Sequence, residues 1–292
     1  MGMTVTERPA WVDDALFPFE SRFLDLGGNR VHYVDEGSGP VLLFLHGNPT
    51  WSFDYRQIIE ELRSEFRCIA VDYPGFGLST AASGYRYLPT EHVAVIGAFV
   101  DALALSGATL VMHDWGGPIG LAVLQQRPEF FDRLVLSNTW AWPVDAPLVQ
   151  IMSHVFGGPV GRLLIRQFNL FVKVMIPVGH RLSKPTGAEM AHYEKALDSP
   201  SRREAAAVFP REITASRAFL ADVAAGLPAI AERPALIVWG DADFAFGDDE
   251  LRQWEATLTN RQTVIISGAG HFVPSDAPER FAAAIRDWHP GA

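Results

Sequence analysis

One cysteine, Cys68, is the chain's entire supply of thiol. A lone thiol forms no internal disulfide and supplies no CxxC metal site. It stands in the β-type run Phe66-Arg67-Cys68-Ile69-Ala70-Val71 and reads as a small buried hydrophobe. Basic residues are also in short supply: 24 Lys and Arg face 34 Asp and Glu, a formal charge of -10. Nucleic acids and anionic membranes reward clustered cations, so neither is expected as a partner. No apolar run approaches the ~18 residues of a membrane-spanning helix, and Met1 to Val12 contains no signal-type apolar core. A cytoplasmic protein is the expectation. Also missing are H-E-x-x-H, the phosphate loop G-x-x-x-x-G-K-[ST], and the third glycine that would extend Gly75-Phe76-Gly77 into a dinucleotide fingerprint. Neither a metal nor another cofactor is expected.

What remains is a globular composition, 48% hydrophobic over 292 residues, with ample material for one large core. Strand patterns fall at Arg30–Val34, Val41–Leu45, Cys68–Val71, Thr109–Met112, Leu134–Ser137, Ala235–Trp239 and Thr263–Ile266. Several, Val41-Leu42-Leu43-Phe44-Leu45 most clearly, are apolar throughout, as strands covered on both faces must be. Helical patterns intervene at Ser52–Arg63, Glu91–Ala104, Gly117–Gln126, Asp248–Ala256 and Pro278–Trp288. The alternation predicts an α/β fold, a mostly parallel central sheet flanked by helices. From 140 to 231 the strand signal vanishes in favour of aromatic, helical sequence broken at Gly157-Gly158-Pro159, Pro177, Pro185 and Pro210. This predicts a core domain of residues 1–139 and 232–292 with a helical cap domain, 140–231, over the strand ends. Phe156, Phe168, Phe171, Met175, Phe209 and Phe219 are expected mainly to fill the cap's own interior.

The most informative segment is Val111-Met112-His113-Asp114-Trp115-Gly116-Gly117. It joins a strand pattern to a helix pattern as a nucleophile elbow does, with aspartate in place of the serine of G-x-S-x-G. A carboxylate is ionised without a base and can displace a leaving group from an sp3 carbon. Trp115 behind it can only donate a hydrogen bond, so it stabilises negative charge. The ester formed on Asp114 needs hydrolysis, and His271, in Gly268-Ala269-Gly270-His271-Phe272, is the candidate base. Its orienting acid should lie between the two in sequence. After Leu134–Ser137 stands Asn138-Thr139-Trp140, with no carboxylate. After Leu236–Trp239 stand Asp241 and Asp243, of which Asp241 is close enough to the strand to cap the turn. Asn48, in His46-Gly47-Asn48-Pro49-Thr50-Trp51, opens the loop that supplies an oxyanion N–H in such folds and adds an amide donor. Asn48 and Trp115 can converge on one developing anion, each contributing on the order of 3 kcal/mol in the transition state.

Those runs, with Asp72-Tyr73-Pro74-Gly75-Phe76-Gly77-Leu78-Ser79, resemble the haloalkane dehalogenases of the α/β-hydrolase superfamily from about Phe17 to Trp288. The third subfamily is the nearest pattern, and by position the resemblance makes Asp243 the acid. Met112 departs from the glycine usual at that point of the elbow. The resemblance implies a triad Asp114–His271–Asp243 and halide binding by Asn48 and Trp115. It implies displacement of halide by Asp114, then ester hydrolysis by water activated by a neutral His271, with the Asn48 and Trp115 backbone N–H groups holding the oxyanion. Partners would be a small apolar haloalkane, water and halide, in an apolar pocket, with homo-oligomerisation open. Epoxide hydrolases share this logic but take a proton donor from cap tyrosines, and 140–231 holds only Tyr193. A binding protein or luciferase-like oxygenase on the same scaffold is the alternative from another class.

Overall fold

The computed structural model describes residues 8–290; the first seven residues, part of the stretch expected to lack a signal-type core, lie outside them. Eight strands form one sheet: β1 (Arg22–Leu26), β2 (Asn29–Glu36), β3 (Val41–Leu45), β4 (Arg67–Val71), β5 (Ala108–His113), β6 (Phe131–Ser137), β7 (Ala235–Gly240) and β8 (Arg261–Ile266). Their order is β1-β2-β4-β3-β5-β6-β7-β8. β2 runs antiparallel to both its neighbours, β1 and β4; from β4 onward every neighbour is parallel. β5, apolar except for Thr109 and His113, is buried at all six positions, as its composition requires. β1 escapes the sequence reading because it is a half-buried edge strand. Its signal was the Gly27-Gly28 turn, whose positive φ values of 58° and 85° make the two-residue hairpin that pairs Leu26 with Asn29.

Crossover helices cover the sheet: α1 (Arg56–Leu62), α2 (Pro89–Leu103) and α3 (Gly116–Gln126). Between β6 and β7 come α4 (Pro147–Gly157), α5 (Pro159–Phe168), a π-helical turn at Phe171–Met175, α6 (Ile176–Gly179), α7 (Gly187–Ala196), α8 (Glu204–Ala215) and α9 (Arg217–Gly226). α10 (Asp248–Thr257), α11 (Val273–Asp276) and α12 (Pro278–Trp288) complete the chain. Pro210 does not break the helical insertion as expected but lies inside α8. Proline cannot donate to the carbonyl four residues back, so Ala206 O needs another donor. Asn48 Nδ2 reaches it at 3.4 Å.

The loop after β4 is built around Asp72, which is fully buried. Its carboxylate accepts the N–H groups of Ser52 (2.8 Å) and Leu78 (2.9 Å) and lies 2.7 Å from His32 Nδ1. Burial alone would raise the Asp72 pKa, but His32 and these donors outweigh it and hold the group below the usual carboxylate range. The run Asp72–Ser79 is therefore explained by structure, tying the loop after β3 to the one after β4. Asp72→Ala would orphan His32 and two backbone donors. Denaturant unfolding of this variant is expected to show a loss of about 3–5 kcal/mol.

Candidate active site

β5 ends at His113 and α3 starts at Gly116, which leaves Asp114 on a sharp turn with φ +49°. That region costs a non-glycine residue roughly 1–3 kcal/mol, so neighbours must hold it there. Asp114 N–H donates to Asn138 O (3.1 Å), while Asp114 O accepts from the Thr139 hydroxyl (2.5 Å) and Gly117 N–H (2.9 Å). A Cβ on Gly116 would strike Leu45 O, and one on Gly117 would strike Thr139 Oγ1. Met112 is accommodated because Gly120 on α3 leaves space for its thioether: a Cβ there would sit 2.8 Å from the sulfur. The room usually made by a glycine on the strand is made by one on the helix.

The Asp114 carboxylate is oriented from both sides. Oδ1 accepts the Asn48 backbone N–H at 2.8 Å, and the Trp115 backbone N–H bonds the same carboxylate. Any side chain on Gly47 would collide with Asp114. Oδ2 is left facing His271 Nε2 at 3.8 Å. His271 Nδ1 lies 3.0 Å from Asp243 Oδ2, whose side chain has no exposed surface. Asp241 points elsewhere and accepts Gly268 N–H at 2.6 Å, the turn-capping role considered for it. Of the two candidate acids, only Asp243 meets the histidine.

Three contributors were not singled out from sequence. Asn138 donates Nδ2 to Asp243 Oδ2 (2.8 Å) and to Gly240 O (3.0 Å), and accepts Gly240 N–H (2.9 Å). Its place at the end of β6 had signified only a missing carboxylate. His113 Nε2–H donates to His271 O at 2.8 Å and fixes that loop from beneath. Asp276 accepts the N–H groups of Arg181, Leu182 and Ser183 from the helical insertion and that of Gly270 beside His271. The available signal for His113 was its position next to the elbow; Asp276 had none without the fold.

Burial by itself would push the His271 imidazole pKa down, but the carboxylates of Asp243 and Asp114 outweigh it and push it up to about 9. The two carboxylates therefore favour the protonated imidazole in the resting site; the neutral His271 expected from sequence belongs to the later hydrolysis step. Burial raises the Asp114 pKa, with His271 and the Asn48 and Trp115 N–H groups opposing the shift. His113, by contrast, is pushed down to about 3 by burial and next by the charge of His271, so it stays neutral.

Asn48, Asp114, Trp115 and His271 all line one cavity of about 670 Å³. The Trp115 indole is packed between Trp140 and Phe209, each ring centre 4.8 Å away. Phe156, Phe171 and Met175 line the cavity instead of merely filling the insertion, Phe209 backs Trp115, and Phe168 is 63% exposed. No tyrosine lines the cavity; the Tyr193 hydroxyl donates to buried Asp54 (2.9 Å).

Residues 40–278 match the family model for the alpha/beta hydrolase fold. Haloalkane dehalogenase 2 of Mycobacterium tuberculosis is 44% identical over 275 residues, covering 94% of this chain and 96% of its own. A cis-3-alkyl-4-alkyloxetan-2-one decarboxylase of Shewanella oneidensis is 33% identical, covering 94% of this chain and 89% of its own. Among solved structures, haloalkane dehalogenase DatA of Agrobacterium tumefaciens superposes with a TM-score of 0.85 at 26% identity, covering 95% of this chain and 98% of that one. An ancestral haloalkane dehalogenase superposes with a TM-score of 0.83 at 29% identity, covering 91% and 97%. The chain has the α/β-hydrolase fold and belongs to the haloalkane dehalogenase family.

Proposed function

We propose that this protein hydrolyses carbon–halogen bonds of apolar haloalkanes, and that residues 140–231 form the cap domain enclosing the substrate. The observation that carries the reading is the Asp114 carboxylate: Oδ1 accepts the Asn48 N–H, the Trp115 N–H bonds the same carboxylate, and Oδ2 faces His271 in the cavity. Asp114 Oδ2 attacks the halogen-bearing carbon, the carbon–halogen bond breaks, and halide leaves toward the Asn48 amide and the Trp115 indole. Asn48 spends one amide hydrogen on Ala206 O and keeps a second for the halide.

The ester step also prepares the base. Once alkylated, Asp114 carries no charge, and one of the two carboxylates sustaining the imidazolium is gone. His271 then loses its proton, keeps Nδ1–H on Asp243, and presents Nε2 to a water. It accepts the water's proton as the hydroxyl oxygen attacks the ester carbonyl. Oδ1 becomes the oxyanion in the site that already holds it. Collapse breaks the bond from the Asp114 carbonyl carbon to Oδ2, and the added hydroxyl passes its proton to the departing alkoxide, giving alcohol and the free carboxylate. His271 keeps the water's proton as the resting imidazolium, so the one proton released overall is that given to solvent after alkylation. The triad roles, the Asn48–Trp115 halide pair, the third-subfamily pattern and a cytoplasmic setting are parts of this one reading.

The absence of a tyrosine from the cavity lining counts against epoxide opening, whose alkoxide needs a proton donor. The decarboxylase relative supports one second reading, on a β-lactone. There Asp114 would displace the ring carboxylate from its sp3 carbon, and loss of CO2 with expulsion of Asp114 would give an alkene without water.

The first test is halide release from 1-bromobutane and 1,2-dibromoethane. Bromide is expected from wild type and not from Asp114→Ala; carbon dioxide from a dialkyl β-lactone, with no bromide from either bromide substrate, overturns the dehalogenase reading. His271→Gln should form the ester and stall, seen by mass spectrometry as an alkyl adduct on Asp114. Asn138→Ala leaves Asp243 without its amide donor and should lower kcat about 10-fold to 100-fold, with KM little changed, in steady-state bromide release. For pH, the folded His271 pKa lies above its unfolded value of about 6.5. Its stabilising contribution is therefore complete below that value and is lost as pH rises through about 9. Denaturation at successive pH values should show wild type losing its advantage over His271→Gln across that window.

A further inference from the structure

The net charge of -10 hides a segregation. Residues 146–188 contain no Asp or Glu, yet hold Arg162, Arg166, Lys173, Arg181 and Lys184, so the rest of the chain sets 19 cations against all 34 acids. The same stretch is apolar outside. Of the thirteen large hydrophobic side chains exposed among the described residues, eleven lie between 148 and 182. On α4 they are Leu148, Ile151, Met152 and Val155, spaced i, i+3, i+4, i+7 along one face. On α5 they are Val160, Leu163, Leu164 and Phe168, with Leu148 and Val160 each 70% exposed. Soluble surfaces rarely leave so large an apolar group uncovered without a use.

We propose that this face of α4, α5 and the following turns docks on an anionic lipid bilayer. The acids flanking the stretch in sequence or paired with its arginines are engaged, Glu204 with Arg162 and Arg166, Glu189 with Arg56, and Asp145 with Arg217. At the cavity, Asp249 pairs with Arg252 and Glu250 accepts Gly247 N–H. Lys173, Arg181 and Lys184 are exposed and form no ion pair among the described residues, although the Lys184 ammonium donates to the Pro177 and His180 carbonyls. Apolar side chains with outward cations are the composition of a helix surface that lies in a headgroup layer. At 11 and 10 residues, α4 and α5 are about 15 Å long, half a hydrocarbon core, and contact is with one leaflet only. A two-fold dimer through the same face would set these cations against their own copies with no acid to answer them. Leu148 and Met152 belong both to the exposed face and to the cavity lining, which makes the face the rim of the cavity. If the proposed substrate class is right, an apolar haloalkane dissolved in lipid would reach Asp114 without crossing water; docking itself does not depend on that reading.

The test is flotation with vesicles of phosphatidylcholine alone or with about one-third phosphatidylglycerol. Wild type should float with the anionic vesicles and be released by high salt. Lys173→Ala should weaken binding about 5-fold. Leu163→Ser combined with Phe168→Ser should weaken it at least 10-fold, while halide release from water-soluble 2-bromoethanol stays at the wild-type level and certifies the fold. No flotation with anionic vesicles, or flotation unchanged in both variants, overturns the proposal. So does a wild-type dimer in size-exclusion chromatography that the double variant turns to monomer with no vesicle binding, which assigns the face to a second copy. Since flotation measures no turnover, absence of halide release would bear on the proposed reaction alone.

Discussion

The site depends on one imidazolium held between two buried carboxylates. Each of the three groups is costly where it stands, because burial disfavours every charged form. Together they are tolerated: Asp243 and Asp114 hold His271 protonated, and His271 in turn holds Asp243 below the usual carboxylate range against the opposing effect of burial. The arrangement requires side chains from distant parts of the sequence to meet closely, at 3.0 Å between His271 and Asp243 and 3.8 Å between His271 and Asp114. Sheet order supplies this, since β5, β6, β7 and β8 are consecutive neighbours and Asp114, Asn138, Asp243 and His271 each follow the end of one of them. A shift in any one strand would leave a buried charge without its partner.

The loops carrying these groups are fixed by uncharged donors and one further carboxylate. His46 shows the logic: pushed down to about 4 by burial, it is neutral, donates Nδ1–H to Gly47 O at 2.8 Å and accepts Tyr73 N–H at Nε2. A single tautomer thereby sets the loop whose next N–H, from Asn48, binds Asp114 Oδ1. Asp276 performs the corresponding work on the far side, joining the Arg181–Ser183 backbone to Gly270. Position of the helical insertion and position of His271 are consequently not independent.

The strands with continuous apolar runs were legible in sequence to within about three residues at either end, because a doubly covered strand has little choice of composition. Five helices were legible too, with the exception that Ser52–Arg63 divides into a 3-10 turn at Ser52–Tyr55 and α1. β1 was not, since its alternation is weak at a sheet edge. In the site, Asp114, His271, Asn48 and Trp115 stood out because their chemistry is unusual at their positions, and the structure gathers all four around one cavity. The choice between Asp241 and Asp243 depended on a two-residue difference in loop position that composition does not encode. Asn138 and Pro210 were read as an absence and a break. Their contributions, an amide to Asp243 and a freed carbonyl for Asn48, exist only once β7 and α8 are placed beside them.

The same distinction governs charge. A total of -10 argued against a lipid partner, but a total is an average over surfaces that never face the same neighbour. Screening confines each exposed charge to roughly 8–10 Å, so a bilayer senses only the residues turned toward it. On α4 and α5 those residues are apolar with cations beside them, while the acids lie elsewhere or are paired. For an apolar reactant the location matters as well as the sign. A cavity lined by Leu148 and Met152 at its rim and by Asp114 within takes its substrate from whatever medium wets that rim, and that medium decides how much substrate arrives.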